Sequence, residues 1–182
     1  VKVIETKLSG VFIIEPKVHG DHRGYFMESY NIQTFEPYHL NYSFVQDNES
    51  LSQEAGTIRG FHYQLNPKAQ TKLVRVISGA IYDVVIDLRK SSTTYGNWLG
   101  FILSDSNKRQ LLVPKGFAHG FCTLVPNTRV FYKVDDYYSR EFDRGILWND
   151  PSLGIDWPTS KPILSEKDQG LPLLKDADLN FV

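Results

Sequence analysis

The feature that most constrains this chain is its punctuation. Short runs rich in Val, Ile, Leu, Phe and Tyr recur along most of the 182 residues, and no long amphipathic helix interrupts them. Gly, Pro and Asn turns separate the runs at roughly 8–12-residue intervals, the spacing of an antiparallel sandwich or jelly roll. The runs are 44–48, 57–63, 73–77, 81–88, 98–103, 110–113, 118–125 and 129–134. Ser78-Gly79 predicts a hairpin between the third and the fourth. Ahead of them, 1–14 reads as one or two short strands broken at Gly10, and Tyr25, Met27 and Ser29 alternate as in a strand after turn signals at Gly20-Asp21 and Arg23-Gly24. A short helix is predicted from Asn31, its cap, to Tyr38, interrupted at Pro37. Beyond Trp148 the texture changes: Pro151, Pro158, Pro162 and Pro172 punctuate it, and Ser165 starts a short helix. This segment is expected to fold back on the barrel as a tail, which makes 1–182 a single domain.

Charge and cysteine content exclude several classes. The formal net charge is −1, with no basic block, which argues against a nucleic-acid binder. Cys122 is the only cysteine, so there is no disulfide framework; its place in Gly120–Leu124 reads as a buried, inert thiol in a reducing compartment. No apolar run approaches the about 18 residues of a membrane helix, and the first residues lack a signal-type apolar core. The expectation is a soluble cytoplasmic protein without membrane or nucleic-acid partners.

Chemistry concentrates in a few places. Thr57-Ile58-Arg59-Gly60-Phe61-His62-Tyr63-Gln64 puts an anion-holding guanidinium and a proton-moving imidazole on one strand, although the same run also suits a half-buried strand with an exposed Arg and a satisfied His. Arg59 and His62 differ by three, so strict alternation sends them to opposite faces unless Gly60 allows a bulge. Lys72 follows ten residues after His62, across Leu65-Asn66-Pro67, where a turn can lay the two strands side by side. It shares a face with Val74 and Val76, where it either meets negative charge or snorkels out. His119 enters its strand after the Pro114–Gly116 turn, as a ligand contact or a core histidine. Tyr132 points inward with Val130 and Val134, to pack or to act; Asp168, three after Ser165, is a helix-capping residue or a site residue. A metal site finds little support, because His62 is followed by Tyr63 and Gln64 rather than by a second histidine and a carboxylate.

Together, Arg23–Glu28, Val45–Asn48, Arg59–Gln64, Lys72–Arg75, Pro114–Phe121 and Tyr132-Lys133 resemble the dTDP-4-dehydrorhamnose 3,5-epimerase family, in order and from about residue 3 to about residue 172. The resemblance implies an all-β, cupin-type double-stranded β-helix (jelly roll) with a few short helices, a homodimer, and neither metal nor other cofactor. It implies inversion of C3 and C5 of dTDP-4-dehydro-6-deoxy-D-glucose. His62 is then the base, Asp168 its hydrogen-bonding partner, Tyr132 the acid on the opposite face, and Lys72 the cation at the C4 oxygen. His119 contacts the substrate near the sugar and phosphates; Arg23, Arg59 and Lys167 neutralise the pyrophosphate. Glu28, Gln46 and Asn48 read the thymidine, and Phe26 and Tyr138 stack on its base, with Arg23, Phe26 and Glu28 lent by a partner subunit. Where many members carry Glu after the Tyr-Tyr pair, this chain has Asp143, one methylene shorter, with Glu141 near enough to substitute.

The chemistry fits those residue types. Both hydrogens are α to the C4 carbonyl, so their removal puts charge on its oxygen, where a fixed cation stabilises the enolate more than the ketone. The net change relocates protons only, consistent with the absence of a Gly-rich dinucleotide fingerprint. The rival expectations are a relative that inverts C3 or C5 alone, a non-catalytic sugar-nucleotide-binding cupin, and a metal-dependent cupin enzyme.

Overall fold

The computed structural model describes residues 1–182. Its strands are β1 (Lys2–Glu5), β2 (Phe12–Glu15), β3 (Val18–Asp21), β4 (Gly24–Met27), β5 (Gln46–Ser52), β6 (Ile58–Gln64), β7 (Lys72–Ser78), β8 (Ala80–Asp87), β9 (Trp98–Ser104), β10 (Gln110–Val113), β11 (Phe117–Thr123), β12 (Thr128–Val134) and β13 (Asp143–Gly145). Helix α1 (Ile32–Phe35) is capped by the Asn31 side chain, as its sequence predicts, and passes into one 3-10 turn at Glu36–Tyr38. Helix α2 (Glu166–Gln169) starts at Ser165, whose hydroxyl accepts the Asp168 N–H.

Two antiparallel sheets face each other in the jelly-roll manner. One has the order β1-β2-β10-β7-β12-β5, the other β13-β6-β11-β8-β9. The β3–β4 hairpin forms a separate ribbon, its residues almost all exposed. The predicted hairpin at Ser78-Gly79 does not form. Strand β7 pairs with β10 and β12, and β8 with β11 and β9. The turn is a corner between sheets, because Val76 and Ile81 on either side of it both enter the space between the two sheets. Gly79 is needed there: its φ is +88°, and a Cβ would run into the Thr128 hydroxyl. The connection 65–71 likewise passes from one sheet to the other, so Lys72 does not lie alongside the His62 strand but faces it from the opposite sheet.

Three apolar layers follow from strand alternation. Between the sheets, Val74, Val76, Val85, Leu111, Phe117, Phe121 and Val130 pack together. Outside the second sheet, Ile58, Phe61, Tyr63 and Ile86 are covered by Leu153, Trp157 and Phe181, so the C-terminal segment does fold onto the barrel. Outside the first sheet, Ile14, Leu73 and Leu112 are covered by Phe35 and Leu40 around α1. Cys122 is buried in the outer layer of the second sheet, and burial pushes its thiol up to about 11. No helix is long and apolar enough to cross a membrane.

Candidate active site

The interior packing gives way at one end of the barrel to polar side chains lining an open cleft. One part, about 180 Å³, is bounded by Gln46, Asn48, His62, Lys72, Tyr132, Tyr138, Asp143 and Lys167, with Tyr63, Gln64 and Gln70. A second, about 250 Å³, shares His62, Lys72, Tyr132 and Lys167 and adds Ser50, Arg59, His119, Phe121, Ser165 and Asp168. The two are lobes of one space.

The local geometry of β6 resolves the spacing of Arg59 and His62. Opposite it on β11, His119 pairs with His62 and Phe121 with Arg59, so three steps on β6 span two on β11. This bulge turns both Arg59 and His62 into the cleft, as Gly60 allows. Gly60 has φ +126°, and a Cβ on it would lie 2.6 Å from the Gly120 Cα and 2.9 Å from the His119 carbonyl oxygen. Only glycine lets the two backbones approach this closely.

His62 Nε2 lies 2.7 Å from Asp168 Oδ1, and the Gly60 N–H donates to Asp168 Oδ2 at 3.0 Å. Burial pushes the Asp168 carboxyl up, but the bonds from His62 and Gly60 and the charge of Lys167 outweigh it, and it lies below the ordinary carboxylate value. An ionised carboxylate only accepts, so the imidazole proton sits on Nε2 and Nδ1 is the basic nitrogen. The capping and the dyad are one arrangement: the Ser165 cap holds α2 in the place that delivers Asp168.

Lys72 is 9% exposed and forms no ion pair within 4 Å; its Nζ is 3.5 Å from the His62 carbonyl oxygen and 6.0 Å from the centre of the Tyr132 ring. Burial pushes its ammonium down to about 8, with Asp143 and Asp83 opposing that shift. Burial raises the Tyr132 phenol above its ordinary value, against the pull of Arg59, so it stays protonated at neutral pH. His62 and Tyr132 therefore come from opposite sheets and face one cleft, with Lys72 beside the phenol ring.

The remaining predicted residues divide. Gln46, Asn48 and Tyr138 form one rim: Gln46 donates to Asn48 Oδ1 and accepts the Tyr138 N–H. Asp143 lines the cleft from β13, whereas Glu141 does not. Lys167 donates to Asp143 at 2.6 Å, a bond that holds its ammonium above the ordinary value. Arg23, Phe26 and Glu28 are not brought to this cleft within the single chain. They lie on or just after the β3–β4 ribbon, where Phe26 is 73% exposed. Sequence reasoning missed Asp83, which is fully buried and 2.6 Å from His119 Nε2. Its signal was a carboxylate in the middle of the apolar run 81–88, which carries a second, Asp87, near its end. No group of three or more His, Cys, Asp and Glu side chains is placed to hold a metal ion.

A jelly roll with a carboxylate-backed histidine, a protonated tyrosine and a buried lysine around one cleft defines a cupin-type sugar-nucleotide epimerase, an isomerase. The chain belongs to the dTDP-4-dehydrorhamnose 3,5-epimerase family, whose model matches residues 5–176. It is 51% identical over 177 residues to the dTDP-4-dehydrorhamnose 3,5-epimerase of Shigella flexneri, covering 97% of each chain. The crystal structure of dTDP-4-dehydrorhamnose 3,5-epimerase from Bacillus anthracis with TDP and pyrophosphate bound superimposes with a TM-score of 0.93 at 62% identity, over 94% of this chain and 98% of that one. The Legionella pneumophila dTDP-6-deoxy-D-glucose-3,5-epimerase in complex with dTDP-4-keto-L-rhamnose gives a TM-score of 0.93 at 45% identity, over 97% and 94%.

Proposed function

We propose that this protein inverts C3 and C5 of dTDP-4-dehydro-6-deoxy-D-glucose to give dTDP-4-dehydro-L-rhamnose. The observation that carries the reading is the single cleft faced from opposing sheets by His62 and Tyr132, with Lys72 beside them. His62 Nδ1 takes the hydrogen α to the C4 carbonyl as a proton, and the C–H electrons move to the C4 oxygen. The Lys72 ammonium stabilises that enolate. Tyr132 gives its phenolic proton to the opposite face of the same carbon, which inverts it, and solvent exchange returns His62 and Tyr132 to their starting protonation states. The sequence runs once at C3 and once at C5. Asp168 holds the tautomer and stabilises the imidazolium, as the carboxylate does in a hydrolase triad.

Binding is assigned to the rest of the cleft. Arg59, His119 and Lys167 meet the sugar and pyrophosphate, and Asp143 shares Lys167 with the bound anion. Gln46 and Asn48 read the thymidine, and Tyr138 stacks on it. The protein is a cytoplasmic homodimer in which the exposed β3–β4 ribbon reaches the partner's cleft, so that Arg23, Phe26 and Glu28 complete it. The exposure of Phe26 on a ribbon that pairs with no other strand supports this.

The test is the configuration of the product. Purified protein is incubated with dTDP-4-dehydro-6-deoxy-D-glucose and the ring-proton couplings are read by NMR. Inversion at both C3 and C5 is expected; inversion at one carbon identifies a single-position epimerase, and none identifies a binding protein.

A further inference from the structure

Asp83 sits at the middle of β8, fully buried, among side chains that face the space between the sheets. One of its oxygens is 2.6 Å from His119 Nε2, and the other, Oδ2, has no hydrogen-bond partner. A buried carboxylate oxygen left unpaired is costly, so a nearby positive charge must offset it. The cleft that His119 lines also holds Lys72, a buried ammonium that lacks a paired carboxylate within 4 Å. Each group supplies what the other lacks.

We propose that Asp83 is a positioning residue for the epimerisation. Through Oδ1 it fixes His119 with its proton on Nε2 and Nδ1 free for the substrate, and through Oδ2 its charge keeps Lys72 an ammonium able to quiet the enolate oxygen. The inference rests on the epimerase reading above. Other influences also act on Lys72: burial lowers its pKa most, and Asp143 on β13 raises it more than Asp83 does. Arg59 and His62 on β6, Tyr132 on β12, His119 on β11 and Lys167 with Asp168 on α2 line the same space. Asp143 shares Oδ2 with Lys167 at 2.6 Å and is partly exposed, and both Asp168 oxygens are bonded, to His62 and to Gly60, which leaves Asp83 as the fully buried carboxylate with an unpaired oxygen.

The test is the pH profile of kcat/KM for Asp83→Asn beside the parent enzyme. Turnover by the parent is established first, so that failure of the epimerase reading shows there and not in the variant. Loss of the Asp83 charge lowers the Lys72 pKa further, so the alkaline limb is expected to move down by about one pH unit, a roughly fivefold loss at pH 8 that approaches tenfold above about pH 9. Asp83→Glu, which keeps the charge, is expected to return the limb toward the parent position. A merely structural carboxylate lowers kcat/KM evenly at every pH, and a limb that superimposes on the parent's overturns the proposal. If the asparagine variant does not fold, Asp83→Ser removes the same charge with less bulk and is read by the same two outcomes.

Discussion

His62 Nε2 and Asp168 Oδ1 lie 2.7 Å apart, although 106 residues separate them in the chain. The second oxygen of Asp168 is held by the Gly60 N–H, so the carboxylate cannot turn freely. In Asp168→Asn the amide oxygen must face the Gly60 donor, which leaves the NH2 group facing His62 Nε2. The imidazole proton then moves to Nδ1, where the base is needed. We expect kcat to fall by about 10³–10⁴ with little change in Tm, by analogy with the wrong-tautomer effect in hydrolase triads. Steady-state kinetics and thermal melting check this, and a loss below tenfold contradicts it.

Lys72 couples stability and activity in opposite directions. Its ammonium titrates at about 8 in the folded chain and at its ordinary 10.5 when unfolded. The unfolded chain therefore binds more protons between those values, and the contribution of Lys72 to stability rises with pH through that window. Below about 8 the buried charge is a net cost. Lys72→Met is expected to raise Tm at pH 7, by on the order of 2 kcal/mol of stability, while kcat falls by roughly 10²–10³. In the parent enzyme kcat/KM is expected to drop as pH rises past about 8. A variant that melts lower and retains turnover contradicts both roles.

Tyr132 separates proton removal from inversion. With phenylalanine in its place, His62 can still take and return a proton on one face, but no acid serves the other. Tyr132→Phe should exchange substrate hydrogen with solvent while forming little inverted product. The two are read in one sample by mass spectrometry and NMR. Inverted product at the parent rate removes Tyr132 from the mechanism.

The ribbon is tested by mixing. Arg23→Ala damages the β3–β4 arm and leaves the cleft intact; His62→Ala does the reverse. If the arm completes a partner's cleft, combining the two inactive variants under subunit exchange restores activity that neither has, because a mixed dimer carries one intact site. Mixtures as inactive as their components contradict the shared site.

Much of this was legible in the residues. Strand runs, the Asn31 and Ser165 caps and the inward face of Tyr132 follow from alternation and capping chemistry. The corner at Ser78-Gly79 was not, because a turn signal marks where the chain bends but not whether it stays in its sheet. Strand β13, three residues long, is too short to carry a pattern, so the place of Asp143 emerged only from the fold. Asp83 was passed over because its partner His119 lies 36 residues on, and only the β8–β11 register brings them together. The bulge at Gly60 was legible as a possibility; pairing with β11 makes it a fact.

The most direct measurement is deuterium uptake from D2O into dTDP-4-dehydro-6-deoxy-D-glucose, followed by NMR at C3 and C5 with the parent enzyme and with His62→Ala. The mechanism predicts deuterium at both carbons with the parent and at neither above background with the variant. Uptake that persists unchanged without the imidazole, or none with the parent, contradicts it.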